Sequence, residues 1–443
     1  MSQEKYIVAV EICSSKIIGA IGRANPTGRL DVIAVEQEHA VECVCYGIIH
    51  NLEGTATRIQ RILSKLENRT GVSPRKIKCV YVGLSGRSLR NVPREIFRNL
   101  PEDTEITEEI LAGLNDEAKR SNIDSSLEVL EAIPATYSVN KSETKNPVGT
   151  FGSNIRVNYQ LIAARPVLRK HVLRVVRDKV GIPVAGLVIT PTAVGNLILS
   201  EEERRLGCML VDMGAETTTV CLYQKGVLQY LAVLPMGGRN ITRDICSLSI
   251  LENDAEEMKK SNGAAINQGT LSNKNFHGVR PSDVAELIAA RSEELVANII
   301  EQMNYAGISA KQLPGGIITV GGGFNLRSLD QLLHRQSGLA VRRGSLPANV
   351  LLEDTRAPMY ECIEVISIMN VGMAPDAPDC MELPQKQELP ENEYVPEQEP
   401  ERNKRAPRRE ANRSRKPSWV EGFKGRLSRI FSASEDDDAD IDE

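Results

Sequence analysis

Two segments of this chain, about two hundred residues apart, have the same strand–turn–strand pattern. In residues 8–19 and again in residues 209–220, an apolar strand ends near an acidic residue, a short turn of small or polar residues follows, and a second strand begins. Backbone N–H groups and hydroxyls in such a turn can bind phosphate, and the acidic residue can hold a divalent cation through water. One copy alone is more often an ordinary sheet edge. Two copies predict a pair of facing turns that bind one nucleotide.

A glycine-rich segment near residue 320 adds to this prediction. Residues 315–320 have the pattern of a strand, Gly321, Gly322 and Gly323 follow, and residues 326–338 have a helical pattern. Glycine has no Cβ atom, so a backbone can approach a flat ligand closely there. Many turns contain a glycine triplet, and this one is informative because it comes after the two repeated turns.

These three elements, in this order and roughly at this spacing, resemble the two phosphate loops and the adenosine loop of the actin/Hsp70/sugar-kinase superfamily. Within it the chain resembles the FtsA family of bacterial cell-division proteins, because residues 237–245 and 255–259 look like its GG…IT.DI and AE..K motifs. The resemblance covers about residues 5–375. It implies an α/β, actin-like ATPase fold with two halves around a nucleotide cleft, an inserted 1C-type subdomain, a disordered C-terminal linker and an amphipathic membrane helix.

The resemblance also implies which residues bind ATP. They come from the two turns, the two motifs and the glycine triplet: Glu11, Cys13, Ser14, Ser15, Lys16, Asp212, Gly214, Ala215, Glu216, Thr217, Thr218, Gly237, Gly238, Glu256, Lys259, Gly321, Gly322 and Gly323. Asp212 is the implied metal residue, with Mg²⁺ as the ion. Glu256 and Lys259 are expected near the ribose and base, although the same charges would suit a solvated helix face.

Several positions in the two turns differ from the residues that the family usually has. Aspartate is usual at the position of Glu11 and glycine at that of Cys13, and glycines are common at those of Ala215 and Glu216. Cβ atoms restrict positive φ, and the Glu216 carboxylate repels phosphate unless a cation or Lys16 offsets its charge. We therefore expect ATP binding, with hydrolysis weak or absent.

Periodicity and the resemblance together divide the chain. Apolar spacing predicts a helix from about residue 51 to 70, a strand at 77–83, an acidic helix near 105–118, extended pieces around 128–139 and a long helix with a buried stripe at 283–303. The expected parts are subdomain 1A (1–84, 164–191 and 347–375), inserted subdomain 1C (85–163), subdomain 2A (192–236 and 305–346), subdomain 2B (237–304), a disordered linker (376–417), a membrane helix (418–432) and an acidic tail (433–443).

Composition is typical of a soluble cytoplasmic body. Of the 443 residues 41% are hydrophobic, and the longest apolar runs are too short to cross a bilayer. The first residues lack the pattern of a secretory signal. The nine cysteines and five histidines have no metal-ligand spacing, so reduced thiols are expected.

The C-terminal segment has the composition of a linker followed by an amphipathic helix. Residues 376–401 are rich in proline, glutamate and glutamine, and residues 402–416 are strongly basic. The absence of interleaved aromatic residues and the net charge of −5 argue against nucleic acid as a partner. A helix that binds anionic lipid is predicted beyond residue 417, with an apolar stripe and flanking arginines: Trp419, Val420, Phe423, Arg426, Leu427, Arg429, Ile430 and Phe431. The alternative is a helix that docks on the protein or in a partner's groove.

The resemblance implies partners and a location. The first is the C-terminal tail of the tubulin-like protein FtsZ, bound by subdomain 2B with Arg291 and Glu294 as candidates, although a solvated helix face is the more common role for such charges. The others are further copies of the chain in filaments and other division proteins bound through subdomain 1C. The expected place is the cytoplasmic face of the bacterial inner membrane at the division site. A small-molecule kinase of the same superfamily is the main alternative, but residues 190–193 offer no carboxylate as a base. An Hsp70-like chaperone would need a folded domain after about residue 375, where the chain is short and polar.

Overall fold

Each of the two repeated segments forms a β-hairpin at the centre of its own sheet. The computed structural model describes residues 4–383 except 267–277, 355 and 357. The strands in chain order are β1 (Lys5–Ile12), β2 (Lys16–Ala24), β3 (Leu30–His39), β4 (Val44–Cys45), β5 (Ile48–Ile49), β6 (Lys76–Ile77), β7 (Val80–Leu84), β8 (Arg90–Glu105), β9 (Glu128–Val139), β10 (Ser142–Thr144), β11 (Phe151–Ala164), β12 (Val184–Ile189), β13 (Cys208–Met213), β14 (Thr218–Gln224), β15 (Val227–Leu234), β16 (Ile317–Val320), β17 (Val341–Arg343), β18 (Val350–Leu352) and β19 (Met381–Glu382).

Helices connect and cover these strands. The α-helices are α1 (Leu52–Glu67), α2 (Glu108–Lys119), α3 (Pro166–Leu173), α4 (Thr190–Ile198), α5 (Glu201–Leu206), α6 (Gly238–Cys246), α7 (Glu252–Asn262), α8 (Pro281–Tyr305), α9 (Leu329–Ser337) and α10 (Ile363–Val371). A π-helix (Arg174–Val180) continues α3, and short 3₁₀ turns cover Ala310–Gln312, Gly322–Asn325 and Met359–Glu361.

The two halves repeat one strand order. In the first half the order is β12-β7-β1-β2-β3-β18, and in the second it is β17-β16-β13-β14-β15. Each repeated segment gives an antiparallel hairpin, β1 with β2 and β13 with β14, and each hairpin has a parallel neighbour, β7 or β16. The acidic ends of β1 and β13 therefore occupy equivalent places in two equivalent sheets.

The helices form where apolar residues recur at helical spacing. In α1 the Asn51 side chain accepts a hydrogen bond from the Gly54 N–H (2.8 Å), and Ile59, Ile62 and Leu66 are fully buried against the sheet. The helix predicted at 283–303 is α8, whose buried stripe runs from Val284 to Met303. Two other patterns are only partly right, because the strand predicted at 77–83 is interrupted between β6 and β7, and α9 begins three residues later than its pattern.

Between β7 and α3 the chain forms a separate layer with its own small core. Strands β8, β9, β10 and β11 form an antiparallel sheet, and α2 packs on it through Leu114 and Ala118. The acidic helix predicted near 105–118 is α2, and the extended pieces around 128–139 are β9. We call residues 85–163 the insert.

The sheet of the insert joins the sheet of the second half. Arg90 of β8 pairs with Ala232 of β15. The Asn91 side chain donates to the Gln229 carbonyl (3.0 Å) and accepts from the Leu231 N–H (2.8 Å). These contacts make one nine-stranded sheet from the insert and the second half.

Candidate functional site

The two predicted turns are both present and both tight. The Cys13 N–H donates to the Lys16 carbonyl (3.0 Å) between β1 and β2, and the Gly214 N–H donates to the Thr217 carbonyl (2.8 Å) between β13 and β14. Both turns close hairpins in which strand pairing continues to the last residue, Ile12 with Ile17 and Met213 with Thr218. We call them the first turn (13–15) and the second turn (214–217).

Two carboxyl groups, one from each half, lie at the bases of these turns. Glu11 is buried, and its carboxylate accepts hydrogen bonds from the Ser85 hydroxyl (3.0 Å) and the Thr190 hydroxyl (2.9 Å). Burial, together with the charge of Asp212, raises the pKa of Glu11 to about 7, and burial raises the pKa of Asp212 to about 6. Burial also raises the pKa of Glu364 of α10, and the nearby charges of Asp212 and Glu11 raise it further. The floor of the cleft is therefore acidic and partly protonated near neutral pH.

Gly83 makes room for the longer Glu11 side chain. A Cβ atom on Gly83 would lie 1.7 Å from Glu11 Oε2 and 2.6 Å from Thr190 Oγ1. A glutamate at position 11 of β1 therefore requires a glycine at position 83 of β7. Sequence reasoning missed this pair, since the two residues are 72 positions apart and only strand pairing brings them together.

The glycine triplet lies beside the second turn, and its three members have different roles. Gly321 has φ +87°, and a Cβ atom there would lie 2.5 Å from both Asp212 Oδ1 and the Met213 carbonyl oxygen. A Cβ atom on Gly323 would lie 2.5 Å from Met213 Cγ, whereas one on Gly322 would meet no atom within 4 Å. Close packing against β13 explains Gly321 and Gly323, and only Gly322 borders open space.

Gly237 and Gly238 fix the second turn to the start of α6. The Gly238 N–H donates to the Gly214 carbonyl (3.0 Å), and a Cβ atom on Gly237 would lie 2.6 Å from the same oxygen. A Cβ atom on Gly238 would lie 3.8 Å from Gly323 Cα. The second turn, the GG motif and the glycine triplet therefore meet at one place.

Glu256 and Lys259, on α7, also reach this place. The Lys259 ammonium donates to the Gly238 carbonyl (2.9 Å), the Thr242 hydroxyl (2.8 Å) and the Glu256 carboxylate (2.6 Å). Burial lowers the pKa of Lys259, while the Glu256 carboxylate partly offsets that effect. Both residues are therefore engaged with each other and with α6 at the edge of the cleft.

Glu216 and Lys16 have different partners from those considered in the sequence. Lys16 forms an ion pair with Glu361 (2.5 Å), so it does not offset the charge of Glu216. The Glu216 carboxylate is paired instead with Arg239 (3.1 Å) and Arg243 (3.0 Å) of α6. The cation that the sequence analysis required beside Glu216 is thus supplied by two arginines that the sequence analysis did not single out.

The remaining residues of the turns have mixed environments. Ser14 is buried and its hydroxyl accepts a hydrogen bond from the Gly47 N–H (2.9 Å), and the Thr218 hydroxyl donates to the Met236 carbonyl (2.8 Å). Ser15, Ala215 and Thr217 are half-buried. In the part of the chain that the structure describes, no group of three or more histidine, cysteine, aspartate or glutamate residues is arranged to hold a metal ion.

The candidate partner residues lie on α8. Arg291 bonds Asp244 of α6 through two nitrogens (2.6 and 3.0 Å) and also contacts Glu294, whose side chain is half exposed. Arg291 therefore holds α8 against α6. Among the described residues, no helix combines the length and the apolar character needed to span a membrane. The predicted membrane residues 419–431, the acidic tail and the part of the predicted linker (376–417) beyond residue 383 lie outside the described residues. The described start of that linker is ordered, since Met381 and Glu382 form β19 and pair with β6.

Comparison with known proteins adds to this geometry. The family model described as "Cell division protein FtsA" matches residues 209–363, and that of the "SHS2 domain inserted in FTSA" matches residues 86–163. The chain is 30% identical over 340 residues to the cell division protein FtsA of Porphyromonas gingivalis, which spans 74% of this chain and 70% of that protein. It is 27% identical over 386 residues to FtsA of Escherichia coli, and this match covers 81% of this chain and 89% of that protein.

A solved structure shares the fold. The match to the PilM-PilN type IV pilus biogenesis complex has a TM-score of 0.60 at 18% identity, and it covers 83% of this chain and 99% of that chain. At this identity the likeness shows the fold alone, and it confirms the predicted actin-like α/β fold with two halves around a cleft. The family models and the relatives, together with this fold, show that the chain belongs to the FtsA family of cell-division proteins.

Proposed function

We propose that this chain binds ATP with Mg²⁺ in the cleft, polymerises on the inner membrane and tethers FtsZ at the division septum. The observation that carries the nucleotide part is the convergence of the two turns, the GG motif and the glycine triplet at one cleft. Family membership supports the role in division. The amphipathic pattern beyond residue 417 supports attachment to lipid.

The cleft has groups suited to a nucleotide and its metal ion. Backbone N–H groups of the two turns are the proposed phosphate ligands, and the open space at Gly322 is the proposed place for the adenosine. Asp212 fits Mg²⁺, since its carboxylate supplies oxygen ligands and accepts no hydrogen bond from the other described residues. Bound Mg²⁺ would supply positive charge against the phosphates and against the acidic floor formed by Glu11 and Asp212.

ATP is proposed here as a ligand that favours the assembled state. A ligand that binds the closed conformation more tightly than the open one shifts the population towards it. Each copy contributes one weak membrane helix, and a filament joins many copies, so assembly strengthens lipid binding without a new contact. Subdomain 2B, with the exposed carboxylate of Glu294 beside Arg291, is the proposed surface for the FtsZ tail.

Co-sedimentation with liposomes tests the whole proposal. The full chain and a chain ending at Lys416 are mixed with anionic or neutral vesicles, with ATP and Mg²⁺ or without nucleotide, and with FtsZ or FtsZ lacking its C-terminal tail. We expect ATP to increase pelleting on anionic vesicles, truncation to abolish it, and FtsZ to pellet only with its tail. Lack of lipid binding by the full chain would refute the tether, and pelleting indifferent to ATP would refute the ligand role.

A matched pair of point variants separates the membrane helix from the rest of the tail. Phe423→Glu puts a charge on the predicted apolar stripe, whereas Ser428→Glu adds the same charge outside it. Only Phe423→Glu is expected to abolish pelleting with anionic vesicles. Equal effects of both variants would show that charge, rather than an apolar stripe, controls the binding.

A further inference from the structure

A tight turn of the first half contacts both candidate phosphate turns. Tyr46 and Gly47 connect β4 to β5 with φ values of +49° and +74°. The Gly47 N–H donates to the Ser14 hydroxyl of the first turn (2.9 Å), and the adjacent Tyr46 N–H donates to Glu216 Oε2 of the second turn (2.8 Å). Two successive amides therefore reach one turn from each half.

The Tyr46–Gly47 turn is fixed to Gly86 and Arg87, where the chain leaves β7 of the first half and enters the insert. The Arg87 N–H donates to the Tyr46 carbonyl (3.1 Å), and the Arg87 guanidinium lies over the Tyr46 ring at 5.3 Å. A Cβ atom on Gly47 would lie only 2.6 Å from Gly86 Cα, so glycine is needed for this close approach. The Tyr46 amide is thus a donor held in a fixed position by the first half.

Glu216 is equally well fixed to the second half. Its side chain is 2% exposed, and both Arg239 and Arg243 bond its Oε1 atom, which leaves Oε2 for Tyr46. Burial acts to raise the pKa of Glu216, but the Tyr46 amide and the two guanidinium groups outweigh burial, and the pKa is lowered. The carboxylate is therefore ionised at neutral pH, and its hydrogen bond to the amide is a charge-assisted one.

We infer that Glu216 is a positioning residue whose side chain fastens the second half to the Tyr46–Gly47 turn of the first half without nucleotide, and that this side chain does not bind phosphate. This inference rests on the proposed nucleotide cleft. A glycine at this position would have no side chain to form such a bond. In this chain the closed cleft consequently has a bond of its own, so closure and assembly depend less on ATP than they would with glycine at position 216.

Residue-resolved hydrogen exchange of the full, nucleotide-free chain tests the inference directly. We expect Glu216→Ala to speed exchange of the Tyr46 amide by about ten- to a hundredfold, because a hydrogen bond to a charged group is lost. Glu216→Gln keeps an acceptor and loses the charge, so a smaller acceleration is expected. The Gly47 amide is the internal control, since its bond to Ser14 lies within the first half and its exchange should stay unchanged.

Glu252→Gln is the matched control variant. Glu252 also pairs with Arg239 (3.2 Å), but its side chain is 57% exposed and no bond to the first half is found for it among the described residues. This variant should leave Tyr46 exchange as in the wild type. Unchanged Tyr46 exchange in Glu216→Ala, or equal acceleration at Tyr46 and Gly47 in that variant, would overturn the inference.

The nucleotide dependence of assembly provides a second readout. Pelleting on anionic vesicles is measured with and without ATP and Mg²⁺ for the wild type, Glu216→Ala and Glu252→Gln. Glu216→Ala should show the largest ratio of pelleting with ATP to pelleting without it, and an unchanged ratio would count against the inference. If no variant binds ATP, the proposed function fails, and the exchange of the Tyr46 amide still decides whether Glu216 fastens the two halves.

Discussion

Replacing Glu11 by glutamine should stabilise the nucleotide-free protein, and the gain should grow with pH. Glu11 is 1% exposed, and burial, with the charge of Asp212, raises its pKa from 4.5 to about 7. A carboxyl whose pKa is raised by folding stabilises the protein fully only below its unfolded pKa, and this contribution is lost as the pH rises through the folded value. The loss therefore occurs mainly between about pH 4.5 and pH 7.

The size of the effect follows from the two pKa values. Their difference of about 2.5 corresponds to about 3 kcal/mol, at about 1.4 kcal/mol per pKa unit. About three quarters of this free energy is lost between pH 5 and pH 8. Glutamine has no charge to bury, and its amide group can bond the Ser85 and Thr190 hydroxyls, which already contact Glu11. For a folded body of roughly 370 residues, the change corresponds to a gain in Tm of about 3 °C between pH 5 and pH 8.

Thermal unfolding of both proteins from pH 5 to pH 8, without nucleotide and with a chelator of divalent ions, measures this gain. Titrating groups that do not feel the charge of Glu11 affect both proteins alike, so the difference in Tm reports Glu11 together with its neighbours Asp212 and Glu364. Glu53→Gln is the control, because the Glu53 side chain is 78% exposed and its replacement should give a small difference that does not change with pH. A Tm difference between wild type and Glu11→Gln that is constant over this range, or that shrinks as the pH rises, would refute the reasoning.

Further substitutions test the packing of the site and the contact between α8 and α6. Gly83→Ala places a Cβ atom 1.7 Å from Glu11 Oε2 and should lower the free energy of unfolding by about 2–3 kcal/mol in urea titrations. Adding the shorter Glu11→Asp should restore part of the lost stability. Absence of any restoration would count against a clash at that oxygen. Gly321→Ala, at φ +87° and with its new Cβ atom 2.5 Å from Asp212 Oδ1, should lower the free energy of unfolding by about 2 kcal/mol and weaken ATP binding. Gly322→Ala, whose new Cβ atom meets open space, should change the free energy of unfolding by less than about 0.5 kcal/mol. Similar Tm values for the two variants would contradict this account. Arg291→Lys loses the two-nitrogen bond to Asp244 and should lower the stability of the second half by about 1 kcal/mol. Hydrogen exchange in α8 measures this loss and should become faster. Slowed or unchanged exchange would be the contrary result.

Features set by local periodicity were predictable from the sequence. Both hairpins have alternating or continuous apolar strands that end at turn residues, and α1 and α8 have apolar residues at helical spacing, so each pattern points to one structure. The strand predicted at 77–83 is the instructive error. The Lys78 N–H donates to the Cys380 carbonyl (2.9 Å), some three hundred residues away, and the strand is interrupted there between β6 and β7.

The partners of the site residues were not predictable in the same way. Glu216 was recognised as an extra charge in the second turn, but its partners Tyr46, Arg239 and Arg243 belong to other elements. The same is true of Glu11 and Gly83, which meet only when β1 pairs with β7. Sequence patterns give the order of elements along the chain, whereas these contacts depend on how separate elements pack in space.

The junction at Asn91 gives the insert two attachments of different kinds. The chain joins the insert to the first half covalently at both ends, while Asn91 and the Arg90–Ala232 pair join it to β15 of the second half by hydrogen bonds. A rotation of one half relative to the other must therefore carry the insert along or break those bonds. The insert therefore bridges the two halves. A force applied to it is transmitted to the first half through covalent bonds and to the second half through hydrogen bonds.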